Sequence, residues 1–161
     1  YIDIEVEDGA IEENFHCRKG KEIDGKEYLI DCAFNFEKDS TSSSVMSFVN
    51  NIETEGGTHI TGFKSSLTRA LNEVQDSNFK GKDVRSGLNV IVSITLPDPS
   101  FKDQTKTSLT NPEARTVASE ILYDEIIKFF QENPQYADKL TDRAKQSKDA
   151  RDLIVRNDVP G

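Results

Sequence analysis

At Phe63 the hydrophobic period of the chain changes, and that switch restricts the available folds more than any other feature. Before it, Tyr28, Ile30, Cys32, Phe34 and Phe36 alternate with Leu29, Asp31, Ala33, Asn35 and Glu37, the two-residue period of a strand. After it, Phe63, Leu67, Ala70, Leu71 and Val74 share one face of an amphipathic helix of about four turns. Alternation returns at Leu88, Val90, Val92 and Ile94, with Ile91 on the other face. This is the most hydrophobic strand of the chain and belongs at the centre of a sheet. A second helical stripe follows at Ala118, Leu122, Ile126, Phe129 and Phe130. The order strand, strand, strand, helix, strand, helix defines an α+β protein with helices laid against one sheet.

Local signals fill in the rest. Ile2, Ile4 and Val6 predict an opening strand closed by Asp8-Gly9, and Asp24-Gly25-Lys26 predicts a hairpin joining residues 11–19 to the strand after it. Lys38 to Ser44 reads as a loop, and Val45 to Ile52 as a third strand ending before Glu55-Gly56-Gly57. Gly81 to Gly87 is a polar connection. Pro97 and Pro99 stop the central strand, and residues 97–111 form a longer loop than compactness requires. Asn111-Pro112-Glu113 starts a helix, with Asn as cap and Pro at the first helical position, that runs to about Gln131. Pro134 restarts a helix whose Ala137 to Val155 pattern is mostly charged. Such a helix stands in solvent or needs a neighbour outside this chain. The abrupt start at Tyr1, without Met and inside a strand-like run, reads as a piece cut from something longer.

Composition narrows the function. A chain of 161 residues, 35% hydrophobic and 30% charged, holds one domain and an appended helix. The formal net charge of −9 argues against a generally basic surface for nucleic acid or anionic membrane. The acidity is concentrated in residues 1–40, with twelve acids and five bases, so that quarter should face water or a cationic partner. No run approaches the roughly 18 apolar residues of a membrane span, which gives a soluble protein and no membrane partner. Cys17 and Cys32 form no dense framework, and reduced thiols in a cytoplasmic protein are expected.

Most chemical motifs fail on inspection. Gly57 to Ser65 nearly matches a phosphate-binding loop, but Phe63 stands between the second Gly and Lys64, so the ammonium is misplaced. A glycine turn feeding a buried helix is the better reading. His16 and His59 are too far from other ligands in sequence for a metal site, and His16-Cys17 is as well explained as an edge-strand pair as by a catalytic dyad. The loop is different. Gln104, Thr105 and Lys106 bring an amide, a hydroxyl and an ammonium together at its tip, a combination suited to a phosphate.

The segments Ser47-Phe48-Val49-Asn50-Asn51-Ile52, Glu55-Gly56-Gly57-Thr58-His59, Gly62-Phe63-Lys64 with Leu67-Thr68-Arg69, Asp83-Val84-Arg85-Ser86-Gly87-Leu88, Gln104-Thr105-Lys106 and Glu132-Asn133-Pro134 carry a resemblance. In order and spacing over about residues 45–157 they resemble the transducer domain of the ATPase subunits of bacterial type IIA DNA topoisomerases, the gyrase and topoisomerase IV group, with the gyrase branch favoured. Residues 1–44 fit only loosely. Ser86 stands where the family usually has Glu, and the Asn51 to Gly56 stretch is one residue shorter than usual.

The resemblance implies a mixed sheet backed by helices, like the second domain of a small-subunit ribosomal protein, with a left-handed βαβ crossover. It divides the chain into a core, 1–133, and a trailing helix, 134–161, leading toward the DNA-cleavage core. ATP and Mg²⁺ would be bound mainly by a preceding GHKL domain, with Gln104 and Lys106 reaching the γ-phosphate and Lys106 stabilising it during transfer. The implied partners are that domain, a second copy of the same ATPase subunit, the separate DNA-cleavage subunit and, weakly, duplex DNA contacted by Arg69, Arg85, Arg143, Lys145, Lys148 and Arg151. Over residues 138–158, however, six bases meet five aspartates, which equally describes a solvated face. The competing class is a non-catalytic nucleic-acid-binding module of ribosomal-protein-like fold.

Overall fold

A computed structural model describes residues 14–37, 42–102 and 108–158. The opening strand expected at Ile2 to Val6 lies outside them. Strands β1 (Phe15–Ile23) and β2 (Lys26–Phe36) form an antiparallel hairpin in which Ile23 faces Lys26. The two turn residues, Asp24 (φ 52) and Gly25 (φ 77), both take the left-handed conformation that matches strand twist in a two-residue turn. Cys17 and Cys32 face each other across this pair as buried free thiols.

The predicted strand from Val45 to Ile52 is instead two strands, β3 (Ser44–Val49) and β4 (Ile52–Thr54). Asn50 (φ 49) and Asn51 (φ 69) repeat the same turn between them, because asparagine tolerates the left-handed region that β-branched residues avoid. A two-residue strand β5 (Gly56–Gly57) leads into helix α1 (Thr58–Gln75), which begins five residues before the apolar stripe does. Within the polar connection, a short helix α2 (Gly81–Val84) buries Asp83 and Val84. The central strand β6 (Leu88–Thr95) is followed by the two-residue β7 (Ser108–Leu109) and by helices α3 (Pro112–Glu132) and α4 (Pro134–Asp158).

The main sheet has the order β1-β2-β6-β3-β4. Strand β6 is central as its sequence predicts, antiparallel to β2 and parallel to β3, so the sheet is mixed. Phe34, Phe36, Val90, Val92 and Ile94 are buried in the core that the sheet forms with its helices. Helices α1 and α3 supply Phe63, Leu67, Leu71, Val117, Leu122 and Ile126 to the same core. They touch closely at Gly62, where a Cβ would lie 2.7 Å from the Arg115 carbonyl oxygen and 2.9 Å from the Ala118 Cβ. Ser66 donates to the Ser119 carbonyl at 2.9 Å beside it. Gly62 is therefore a helix-packing residue inside α1, which explains the failed phosphate-loop motif.

Helix α4 departs from expectation. Its first half buries Tyr136, Ala137, Leu140 and Ala144, and the Tyr136 ring meets Phe129 edge-on at 5.0 Å. The charged pattern conceals an apolar stripe at i, i+4 and i+8 that docks this half on the domain itself. Leu153, farther along, is 58% exposed.

Candidate functional site

The long loop rises from a braced base. Leaving β6, Leu96 is held by Asn50, whose side chain accepts from the Leu96 N–H at 2.9 Å and donates to its carbonyl at 3.0 Å. The two arms then pair. The Thr110 N–H donates to the Ser100 carbonyl at 2.8 Å, the Lys102 N–H donates to the Ser108 carbonyl at 2.9 Å, and Phe101 bridges Leu109 in antiparallel fashion. Strand β7 also pairs in parallel with β5, Gly56 with Ser108 and Gly57 with Leu109. Only Gly fits at position 57, where φ is 150 and a Cβ would lie 2.7 Å from the Leu109 Cβ. Residues 103–107, with Gln104, Thr105 and Lys106, lie outside the described residues.

Asn111 sits where the sequence places a helix cap, but its side chain caps nothing. Its Oδ1 accepts from the Ser100 N–H at 2.6 Å, and its Nδ2 donates to the Asp98 carbonyl at 3.0 Å and to Glu113 Oε1 at 2.8 Å. The bond from Asn111 holds the Glu113 carboxyl below its ordinary range. The Asn111 carbonyl in turn accepts from the Thr58 hydroxyl at 2.7 Å, which ties in the first turn of α1.

Beneath β5 runs a buried polar chain. Ser47 Oγ lies 2.7 Å from Thr54 Oγ1 and 2.7 Å from His59 Nε2, and Thr54 donates to the Gly56 carbonyl at 3.2 Å. With the Thr54 proton so used, Ser47 donates to Thr54 and His59 donates its Nε2–H to Ser47. That bookkeeping assigns the tautomer and leaves Nδ1 a bare, buried lone pair. Burial pushes the imidazole down to about 4, so it is neutral at pH 7. His16 bonds Asp31 at 2.9 Å, away from His59, and no group of three potential metal ligands occurs among the described residues.

The six cationic residues have distinct settings. Arg69 is exposed, its guanidinium 4.6 Å from the Tyr123 ring centroid, and Lys145 and Lys148 are exposed on α4. Arg85 is half-buried, and burial lowers its pKa. Arg143 donates to the Ser86 carbonyl at 3.3 Å, and Arg151 Nη1 lies 2.8 Å from the buried Asp83 Oδ2. Ser147 donates to the other Asp83 oxygen at 3.0 Å. Arg143, Ser147 and Arg151 are thus a polar stripe fastening α4 to α2 and to Ser86 just beyond it. Sequence reading missed Asp83, Ser147 and the clasping role of Asn111. The i, i+4, i+8 spacing of Arg143, Ser147 and Arg151 on α4 was the signal available for Ser147.

This architecture recurs in the ATPase regions of type II topoisomerases. The chain is similar to the 43K ATPase domain of Thermus thermophilus gyrase B, solved with an aminocoumarin, at 27% identity and TM-score 0.80, covering 91% of this chain and 41% of that one. It shares its fold with the topoisomerase IV ATP-binding domain of Francisella tularensis at 23% identity and TM-score 0.75, covering 87% of this chain and 40% of that one. A family model described as DNA gyrase B matches residues 1–156, so the chain belongs to the DNA gyrase B family. Among curated relatives, the DNA gyrase B protein of Halalkalibacterium halodurans is 44% identical over 128 residues, 73% of this chain and 20% of that protein. Its counterpart from Thermotoga maritima is 33% identical over 160 residues, 91% of this chain and 25% of that protein. The chain therefore spans a quarter or less of these two relatives.

Proposed function

We propose that the chain is the transducer domain of an ATP-dependent type II DNA topoisomerase, of the gyrase kind, coupling events at an ATP site to movement of the whole enzyme. The braced base of the 97–111 loop carries this reading. The arms on either side of residues 103–107 are paired by backbone hydrogen bonds, and Gln104 and Lys106, which fall between them in sequence, suit a γ-phosphate in their chemistry. The partners that go with this reading are a preceding GHKL domain that binds most of the nucleotide, a second copy of the same polypeptide, the DNA-cleavage subunit, and duplex DNA held weakly. Mg²⁺ belongs with that preceding domain. The described residues hold no group of three potential ligands for it.

Phosphoryl transfer depends on positioning and charge stabilisation, which is what a lysine delivered to the γ-phosphate contributes. The contact exists only while the phosphate is present. The loop's interaction energy therefore differs between nucleotide states, and that difference biases the domain's orientation. Residues 1–133 form the proposed domain body, and α4, whose first half packs onto that body, is the proposed helix leading onward. A stand-alone ribosomal-protein-like nucleic-acid binder is not favoured by a net charge of −9.

The test is ATP turnover by a longer protein that includes the preceding domain. Lys106→Ala is expected to lower kcat/KM at least about tenfold, about 1.4 kcal/mol, with the fold intact. Unchanged turnover would remove the γ-phosphate role.

A further inference from the structure

We propose that Asn111 is a positioning residue for the loop, acting through its base rather than touching nucleotide. The proposal rests on the γ-phosphate reading above and adds the part that holds the loop in place. Asparagine is a preferred helix cap, yet here the side chain forgoes the amides of its own helix. Both its N–H donors and its oxygen are engaged, two of those three bonds going to the outgoing arm at Asp98 and Ser100. Asn111 itself ends the return arm, directly after Thr110, and its carbonyl holds Thr58 at the start of α1.

One residue, 6% exposed, therefore joins both arms to the first turns of α1 and α3. Asn111 is buried while Asp98 and Ser100 are exposed, so deleting its side chain leaves their backbone groups to water and frees the outgoing arm at little cost in stability. With the junction intact, displacement at the tip moves the helix starts. Without it, the base absorbs the displacement.

A residue that merely caps α3 and one that clasps the loop answer differently to substitution. Asn111→Gly keeps an acceptable cap residue and deletes the clasp. Asn111→Asp keeps a strong cap and the acceptor for Ser100, but loses both donor bonds and faces the Glu113 carboxylate.

The experiment uses the full-length protein assembled with its DNA-cleavage partner and measures ATP turnover, thermal unfolding and hydrogen exchange. For Asn111→Gly we expect an unfolding temperature close to wild type, faster exchange in peptides covering residues 98–102 and 108–111, and kcat reduced about tenfold with KM for ATP little changed. Asn111→Asp should fall between. Combined with Lys106→Ala, Asn111→Gly should add nothing, since both act at one contact.

If Lys106→Ala slows turnover and both Asn111 variants do not, the positioning role is overturned while the γ-phosphate reading stands. If Lys106→Ala is silent, that reading fails and takes the proposed route with it. Unchanged exchange at residues 98–102 in Asn111→Gly would overturn the clasp itself. Should Asn111→Gly fail to fold, Asn111→Asp carries the same comparison.

Discussion

His59 keeps an unprotonated nitrogen in the protein interior, fully enclosed, with its other nitrogen committed to Ser47. Adding a proton there would bury an unpaired charge, which is why the imidazole pKa falls from 6.5 to about 4. The unfolded chain binds that proton below about pH 6.5, whereas the folded chain resists it until about pH 4. The contribution to stability is therefore complete above about 6.5 and is lost as the pH falls toward 4. It amounts to at most about 3 kcal/mol. Urea unfolding at pH 7 and pH 4.5 should show wild type losing more stability than His59→Gln, which has no titrating group. Equal losses in the two proteins would contradict the assignment.

Helix α4 is held by two kinds of contact along its length. Tyr136, Leu140 and Ala144 pack the first half into the core, Arg143 ties its middle to Ser86, and the second half depends on Ser147 and Arg151 against Asp83 of α2. Asp83 is 2% exposed and the Arg151 side chain 23% exposed, so the two members of the ion pair are not equivalent. An abandoned Arg151 can turn to water, whereas an abandoned Asp83 stays buried. Arg151→Ala should thus cost more than Asp83→Asn, about 3 kcal/mol against about 1. Denaturant midpoints of the two variants and their double mutant would measure this, and the reverse order would mean that Asp83 finds other solvation.

The apolar half of this scheme was hard to read because the few apolar residues of α4 stand among eleven charges over residues 138–158. The polar half was unreadable, since a charged helix face looks the same whether it meets water or a buried carboxylate. By contrast, β6 and α1 were legible because apolar side chains dominate their inner faces. The split of β3 from β4 was missed for another reason. The turn is set by the positive φ of Asn50 and Asn51, and hydrophobic periodicity carries no trace of φ. Gln104 and Lys106 were singled out from their chemistry and family spacing and remain a proposal, while Asn111 was read only for its local helix preference.

For the whole molecule, the acidic excess and the use of arginines internally limit what DNA can gain. Arg143 and Arg151 are already engaged with Ser86 and Asp83, leaving Arg69, Arg85, Lys145 and Lys148 of the six candidates without an ion pair seen among the described residues. Each phosphate neutralised contributes about 0.9 to the salt dependence of binding, so the slope of log K against log salt should be no steeper than about −4. Fluorescence anisotropy with a labelled duplex at several salt concentrations would check this. A steeper slope would mean that DNA displaces the internal pairs.

The strand order has a consequence for how the chain reaches this state. The first hairpin, β1 with β2, and the second, β3 with β4, each close locally, yet they do not touch as sheet neighbours. The strand that belongs between them, β6, comes last of the five in sequence, after both hairpins and α1. Until Thr95 has been synthesised and β6 threads the gap, each hairpin has a long apolar edge open to the wrong partner. The five-stranded sheet therefore cannot close before its middle strand is available, however early either hairpin has been made.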